Sequence, residues 1–212
     1  MTQTLTAQDA FRAAYENRYT WDEKFPGFTA TVTFTHGEQT HTGKVAIKAD
    51  MSFEVTGIEA IGAQKEIEGQ LWEITVHRVR RTFEESHGKN SFEFGETFAD
   101  GSQEIKVTGA AMGNSYKIHN NVVTFVNRKI RDVIVNINTF DVLNTAEGYL
   151  SQGYDSVYFD AATHEPKGTK SLFRDSFEKI GGYYLLTKRE ITYVENDQVV
   201  DQKVFTFTDI QF

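Results

Sequence analysis

The stretch Phe28-Thr29-Ala30-Thr31-Val32-Thr33-Phe34-Thr35-His36-Gly37-Glu38-Gln39-Thr40-His41-Thr42-Gly43-Lys44-Val45-Ala46-Ile47-Lys48 decides the fold. Phe28, Ala30, Val32 and Phe34 alternate with Thr29, Thr31, Thr33 and Thr35, and Val45 and Ile47 alternate with Lys44 and Lys48. Period 2 with one apolar side marks a strand that buries one face. A loop of Gly37-Glu38-Gln39-Thr40 pairs His36 with His41, Phe34 with Gly43, Val32 with Val45 and Ala30 with Ile47. A slip by one residue mixes the two faces, so the pattern selects against it. Strands of about eight residues reach roughly 26 Å at 3.3 Å per residue, a length suited to a large curved sheet.

Reading outward, Asp100-Gly101 is a hairpin turn between 92–99 and 102–108, and Asn120-Asn121 is another. The second pairs Ile118 with Val123 and Tyr116 with Phe125. Further strand-like runs lie at 130–138, 155–160, 169–178, 183–194 and 199–210, with Asn196-Asp197 as the last turn. Two segments break the pattern. Residues 6–19 read as a helix capped by Thr6 and Asp9, with Ala7, Ala10, Phe11, Ala14, Tyr15 and Arg18 at helical spacing on one side. Residues 60–83 read as a second helix with Ile67, Leu71 and Ile74 on a core stripe. Trp72, Val76, Val79 and Phe83 form a second apolar stripe roughly 150° away. Glu66, Gln70, Glu73, His77, Arg80 and Arg81 make up the polar sector. The expected fold class is mainly β with helices (α+β): a large curved antiparallel sheet or open half-barrel of about eleven strands. The N-terminal helix and the 60–83 helix lie on its concave face, and residues 1–212 form a single domain.

The chain carries 22 Lys and Arg against 30 Asp and Glu, a formal charge of −8, which disfavours binding to a phosphate backbone. It has no cysteine, which excludes disulfides, a thiolate metal site, a catalytic thiol and thioether attachment of a pigment. Aromatics at 13% with only two prolines fit packed sheets and argue against disorder. The opening Met1–Asp9 has neither a basic nor an apolar leader region, and no run approaches 18 apolar residues, so a cytoplasmic location without a membrane span is expected.

Three runs carry a resemblance: Phe11-Arg12-Ala13-Ala14-Tyr15-Glu16-Asn17-Arg18-Tyr19-Thr20-Trp21, His77-Arg78-Val79-Arg80-Arg81-Thr82-Phe83-Glu84-Glu85, and Gly181-Gly182-Tyr183-Tyr184-Leu185-Leu186-Thr187-Lys188-Arg189. Over essentially the whole chain the sequence resembles a domain-of-unknown-function family of cyanobacteria with relatives in chloroplasts. That family implies no activity or catalytic residue. The order of elements also looks like the lipoprotein-carrier fold of periplasmic chaperones, a likeness of architecture only. The absence of a leader departs from that family.

No P-loop, dinucleotide-binding glycine pattern, H-E-x-x-H or G-x-S-x-G motif is present, so no catalytic residue is assigned. His36 and His41 are weak metal candidates without a third ligand, and no cofactor is called for. Arg78 falls in line with the Ile67/Leu71/Ile74 stripe. An arginine there snorkels to the helix end or anchors the carboxylate or phosphate of an apolar ligand. Its stem is then packed against apolar neighbours. The candidate ligand-binding set is Arg78, Trp72, Val76, Val79 and Phe83. The leading functional expectation is a non-enzymatic module that binds a lipid, carotenoid, quinone or tetrapyrrole. The alternatives are an assembly protein whose second stripe meets a protein partner, and a lyase-like enzyme acting on a pigment.

Overall fold

A computed structural model describes residues 5–212. The Met1–Thr4 part of the leader reading lies outside the described residues. Three helices are described, α1 (Ala7–Glu16), α2 (Ile61–Arg78) and α3 (Phe83–His87). The strands are β1 (Gly27–His36), β2 (Gln39–Lys48), β3 (Phe53–Thr56), β4 (Asn90–Thr97), β5 (Gln103–Gly109) and β6 (Ser115–His119), then β7 (Val122–Ile130), β8 (Val133–Thr145), β9 (Gly148–Asp160), β10 (Lys170–Ile180), β11 (Tyr183–Glu195) and β12 (Gln198–Gln211). They form a mainly antiparallel sheet in the order β3-β2-β1-β12-β11-β10-β9-β8-β7-β6-β5-β4, with β3 and β4 as its free ends. The expected class, a large open antiparallel sheet with helices, is the one adopted, with twelve strands in place of about eleven. Contacts gather into two compact units, one made of the segment up to Tyr19 with Arg81–Ser171, the other of Thr20–Arg80 with Leu172–Phe212.

The second unit holds the first hairpin. His36 pairs with Gln39, so only Gly37-Glu38 turns the chain, and Phe34 faces His41, Val32 faces Gly43 and Ala30 faces Val45. The expected register is thus off by two residues. A shift of two keeps every side chain on its face, so alternation cannot detect it. The choice is made by Gly37, whose φ of +59° puts a glycine at the first turn position, as tight two-residue hairpins require. Strand β3, unforeseen because it is only four residues long, pairs Val55 with Val45 and Phe53 with Ile47. On the apolar side Phe34 stacks on Phe205 at 4.7 Å. Trp21 stacks on Phe25 at 4.0 Å.

Helix α2 packs on that side with Ala63, Ile67, Leu71 and Ile74 buried, which is the expected core stripe. It stops at Arg78, however, and Val79 is already extended. The expectation of one helix over 60–83 is therefore corrected. Thr82 and Glu85 form a reciprocal capping box that satisfies free backbone donors and starts α3 afresh at Phe83.

In the first unit α1 begins at the predicted cap, with Thr6 accepting from Asp9 N and the Asp9 carboxylate accepting from Thr6 N. The Asp100-Gly101 turn joins β4 to β5. The Asn120-Asn121 turn joins β6 to β7, with both residues at positive φ. Ile118 faces Val123 as expected, but Tyr116 faces Val126 and not Phe125, because a bulge leaves Thr124 as an extra residue. Strands β8 and β9 run through 139–154, where no strand was expected. Phe140 and Gln152 are extra residues in that ladder and interrupt the period-2 signal.

Candidate functional site

The site grows from one aromatic cluster in the first unit. Helix α1 presents Phe11 and Tyr15 to α3 and to β5 and β6, where Phe83, Ile105, Val107 and Tyr116 complete a buried core. Phe11 stacks on Tyr116 at 4.4 Å and meets Phe83 edge-on at 5.9 Å. The Tyr15 and Ser86 hydroxyls share a 2.5 Å hydrogen bond that ties α1 to α3. His87 lies among these rings, 5.1 Å from Phe11, 5.0 Å from Tyr15 and 5.2 Å from Phe83. Burial among the rings, with the positive charges of Arg18 and Arg128 behind it, pushes the His87 imidazole down to about 4, so it is neutral at pH 7. Burial raises the Tyr116 phenol, with the same two arginines acting against it.

The C-terminal end of α1 is pinned to β9. Tyr149 N donates to Asn17 O at 2.8 Å and Tyr19 N donates to Tyr149 O at 2.9 Å. This close approach is why position 148 is glycine. Its φ is +123°, and a Cβ there falls 2.5 Å from Asn17 O. Docking at this point sets Arg18, whose Nε donates to Tyr15 O at 2.9 Å and whose guanidinium lies 3.8 Å above the Tyr15 ring. Across the sheet, Val126 packs against the aromatic cluster. Alternation puts Arg128 on the same face. Its partner Val135 and then Tyr158 follow, with Ile137 beside them opposite Val126. This apolar strip continues the core over β8 and β9 with uneven cover: Val135 is buried, Ile137 and Val133 are half-buried and Tyr158 is 42% exposed.

Of the residues singled out from sequence, Phe83 is 1% exposed inside the aromatic core, on α3 and not on the helix that bears Trp72. In the second unit Trp72 is 59% exposed, Val76 is half-buried and Val79 is the α2 C-cap. The Arg78 guanidinium rests 5.3 Å from the Phe177 ring centre, and its carbonyl accepts from Trp21 N. The four apolar candidates are thus not one continuous stripe. His36 does not pair with His41. Its Nε2 lies 2.9 Å from both carboxylate oxygens of Asp201. Among the described residues no group of three or more His, Asp or Glu is placed to hold a metal ion.

Sequence reasoning missed a buried ionic cluster in the second unit. Arg189 bonds Asp175 twice, Gln70 at 2.9 Å and Glu73 at 3.1 Å. Lys203 donates to Glu66 at 2.8 Å. The polar sector of α2 therefore meets cations on β11 and β12. The signal was present in Phe173-x-Asp175-x-Phe177 and in Thr187-x-Arg189-x-Ile191, each of which sets a charge on an apolar strand face. Two open grooves of about 390 and 440 Å³ are lined by outward threonines with Lys44, Glu54, Glu178 and Lys188. Neither is lined by Arg78, Trp72, Val76, Val79, Phe83, His36 or His41.

No helix among the described residues is long and apolar enough to cross a membrane. Solved structures with some likeness are a LolA superfamily protein from Nitrosomonas europaea (10% identity, 99% of this chain and 94% of that one, TM-score 0.35), a DUF1329 family protein from Desulfovibrio piger (7%, 97% and 91%, 0.26) and the MucA/MucB complex of Pseudomonas aeruginosa (10%, 95% and 93%, 0.24). At these scores the likenesses carry no functional argument. No curated protein matches the chain. The family described as "Protein of unknown function (DUF3386)" matches residues 2–212, and the chain belongs to that family.

Proposed function

We propose that the protein is a non-enzymatic module that binds an apolar small molecule such as a lipid, carotenoid, quinone or tetrapyrrole, working as one domain over 1–212 in the cytoplasm of a cyanobacterium or a chloroplast. The observation that supports this is the strip that continues the aromatic core over β7, β8 and β9, where Val126, Ile137 and Val133 are half-buried around a buried Val135 and Tyr158 is exposed. A sheet face completed by its own helix hides such side chains. One that stays half-open has apolar area left for a ligand.

N-phenyl-1-naphthylamine, a neutral apolar dye, tests this by its fluorescence. Saturable enhancement in the intact protein, lost in Ile137→Asp while the fold persists by circular dichroism, is the expected result. Absence of enhancement, together with no co-purifying ligand in native mass spectrometry, overturns it.

A second reading, a protein-interaction role, has its own observation. Trp72 and Ile61, 59% and 70% exposed, fall roughly 20° apart on the outer side of α2. A stoichiometric partner lost on Trp72→Ala favours that reading.

A further inference from the structure

We infer that the outer face of α2 is a two-fold contact on which a second copy of this chain docks, with the two α2 helices antiparallel. The inference rests on the interaction reading of the Trp72 and Ile61 face and names the partner.

Ile61, Lys65, Gly69, Trp72 and Val76, with Glu68 at their edge, span roughly 100° of the α2 circumference. The buried Ala63, Ile67, Leu71 and Ile74 take the opposite side. Ile61, Lys65, Gly69 and Trp72 are exposed, and Glu68 and Val76 are half-buried.

The order of these residues decides what fits them. A two-fold axis passing between residues 68 and 69 sets Ile61 opposite Val76 of the second copy, Lys65 opposite Trp72, and Glu68 opposite Gly69. Each pair then occurs twice, as a contact between identical surfaces demands. Lys65 makes no ion pair or hydrogen bond among the described residues. The face of an indole is the best aromatic seat for its ammonium group. Glu68 comes within one turn of Lys65 of the second copy, so the patch carries one charge of each sign and matches itself. An anionic membrane offers no such match, and the net charge of −8 is repelled by one.

Gly69 marks the crossing point. A Cβ there meets nothing within 4 Å, so no contact inside the chain requires a glycine in mid-helix, where alanine is preferred. A second helix crossing at that position does require one, because the missing side chain lets two backbones approach closely. The contact runs about 22 Å from Ile61 to Val76. That is small for an interface, so it forms at micromolar concentrations.

Sedimentation equilibrium of the full chain over about 1–200 µM tests this. The average mass is expected to rise towards twice that of one chain. Trp72→Ala moves the rise at least about tenfold higher in concentration. Gly69→Glu does the same with an unchanged circular dichroism spectrum, since it enters open space and sets a carboxylate opposite Glu68 of the second copy. The chain has no cysteine, so introduced thiols read the register. Oxidised Gly69→Cys crosslinks into a dimer. Ile61→Cys does not, because its two copies lie about 22 Å apart, but Ile61→Cys/Val76→Cys does. A dimer indifferent to both Trp72→Ala and Gly69→Glu, or one crosslinked by Ile61→Cys and not by Gly69→Cys, overturns the inference. So does a chain that stays monomeric. If that monomer binds a different protein through Trp72, the interaction reading survives without the second copy. If it binds no protein, or only phosphatidylcholine vesicles, both fail.

Discussion

Arg189 donates from Nε and Nη2 to the two carboxylate oxygens of Asp175, at 2.8 and 2.6 Å, with 7% and 2% of the two side chains exposed. Charges this deep need partners, and losing Asp175 leaves the Arg189 Nε and Nη2 donors without their acceptor, with only Gln70 and Glu73 on Nη1. Asp175→Ala is expected to cost about 3–5 kcal/mol in urea unfolding. The double change Asp175→Leu/Arg189→Met is expected to cost less than Asp175→Ala alone, because no charge is left buried. A double change as costly as the two single changes combined counts against the coupling.

Stability follows the protonation of His87. Its folded value, about 4, lies below the ordinary 6.5, so between these values the unfolded chain binds more protons. The contribution is complete above about pH 6.5 and is lost as pH falls towards about 4. His87→Phe removes the titrating group, so the stability difference between wild type and variant changes across that window in the variant's favour on acidification. A difference constant from pH 7 to pH 4 contradicts the assignment. Comparing the two proteins cancels the carboxylates with lowered values, such as Asp9 and Glu85.

Gly148→Ala is expected to undo the docking of α1. The positive φ and the approach to Asn17 O both oppose a Cβ, and backbone on both sides leaves little room to yield. A loss of about 2–4 kcal/mol is expected. Faster proteolysis around Asn17–Tyr19 accompanies it, and an unchanged melting temperature rejects the argument.

One heat-capacity peak is expected for the whole chain. The boundary between Ser171 and Leu172 falls inside β10, so a single strand contributes to both units. Two separated peaks argue instead for independent domains.

Alternation in β1 and β2, the Thr6/Asp9 cap and the Asn and Gly turns were legible from sequence because each depends on residues close in the chain. So was the Ile67/Leu71/Ile74 stripe. What stayed hidden depends on pairing across distance. The hairpin register differs by two because both registers bury the same side chains. Helix α2 ends at Arg78 although apolar spacing runs on, because a local cap at Thr82 wins over a weak stripe. The candidate set of Trp72, Val76, Val79 and Phe83 assumed one rigid helix, and that break separates Phe83 from the rest. Periodicity thus determined the strands, the helices and the class of the fold. Only the tertiary structure decided that Arg189 meets Asp175 and that Lys203 meets Glu66, since charges far apart in sequence acquire partners only when the elements carrying them are set side by side.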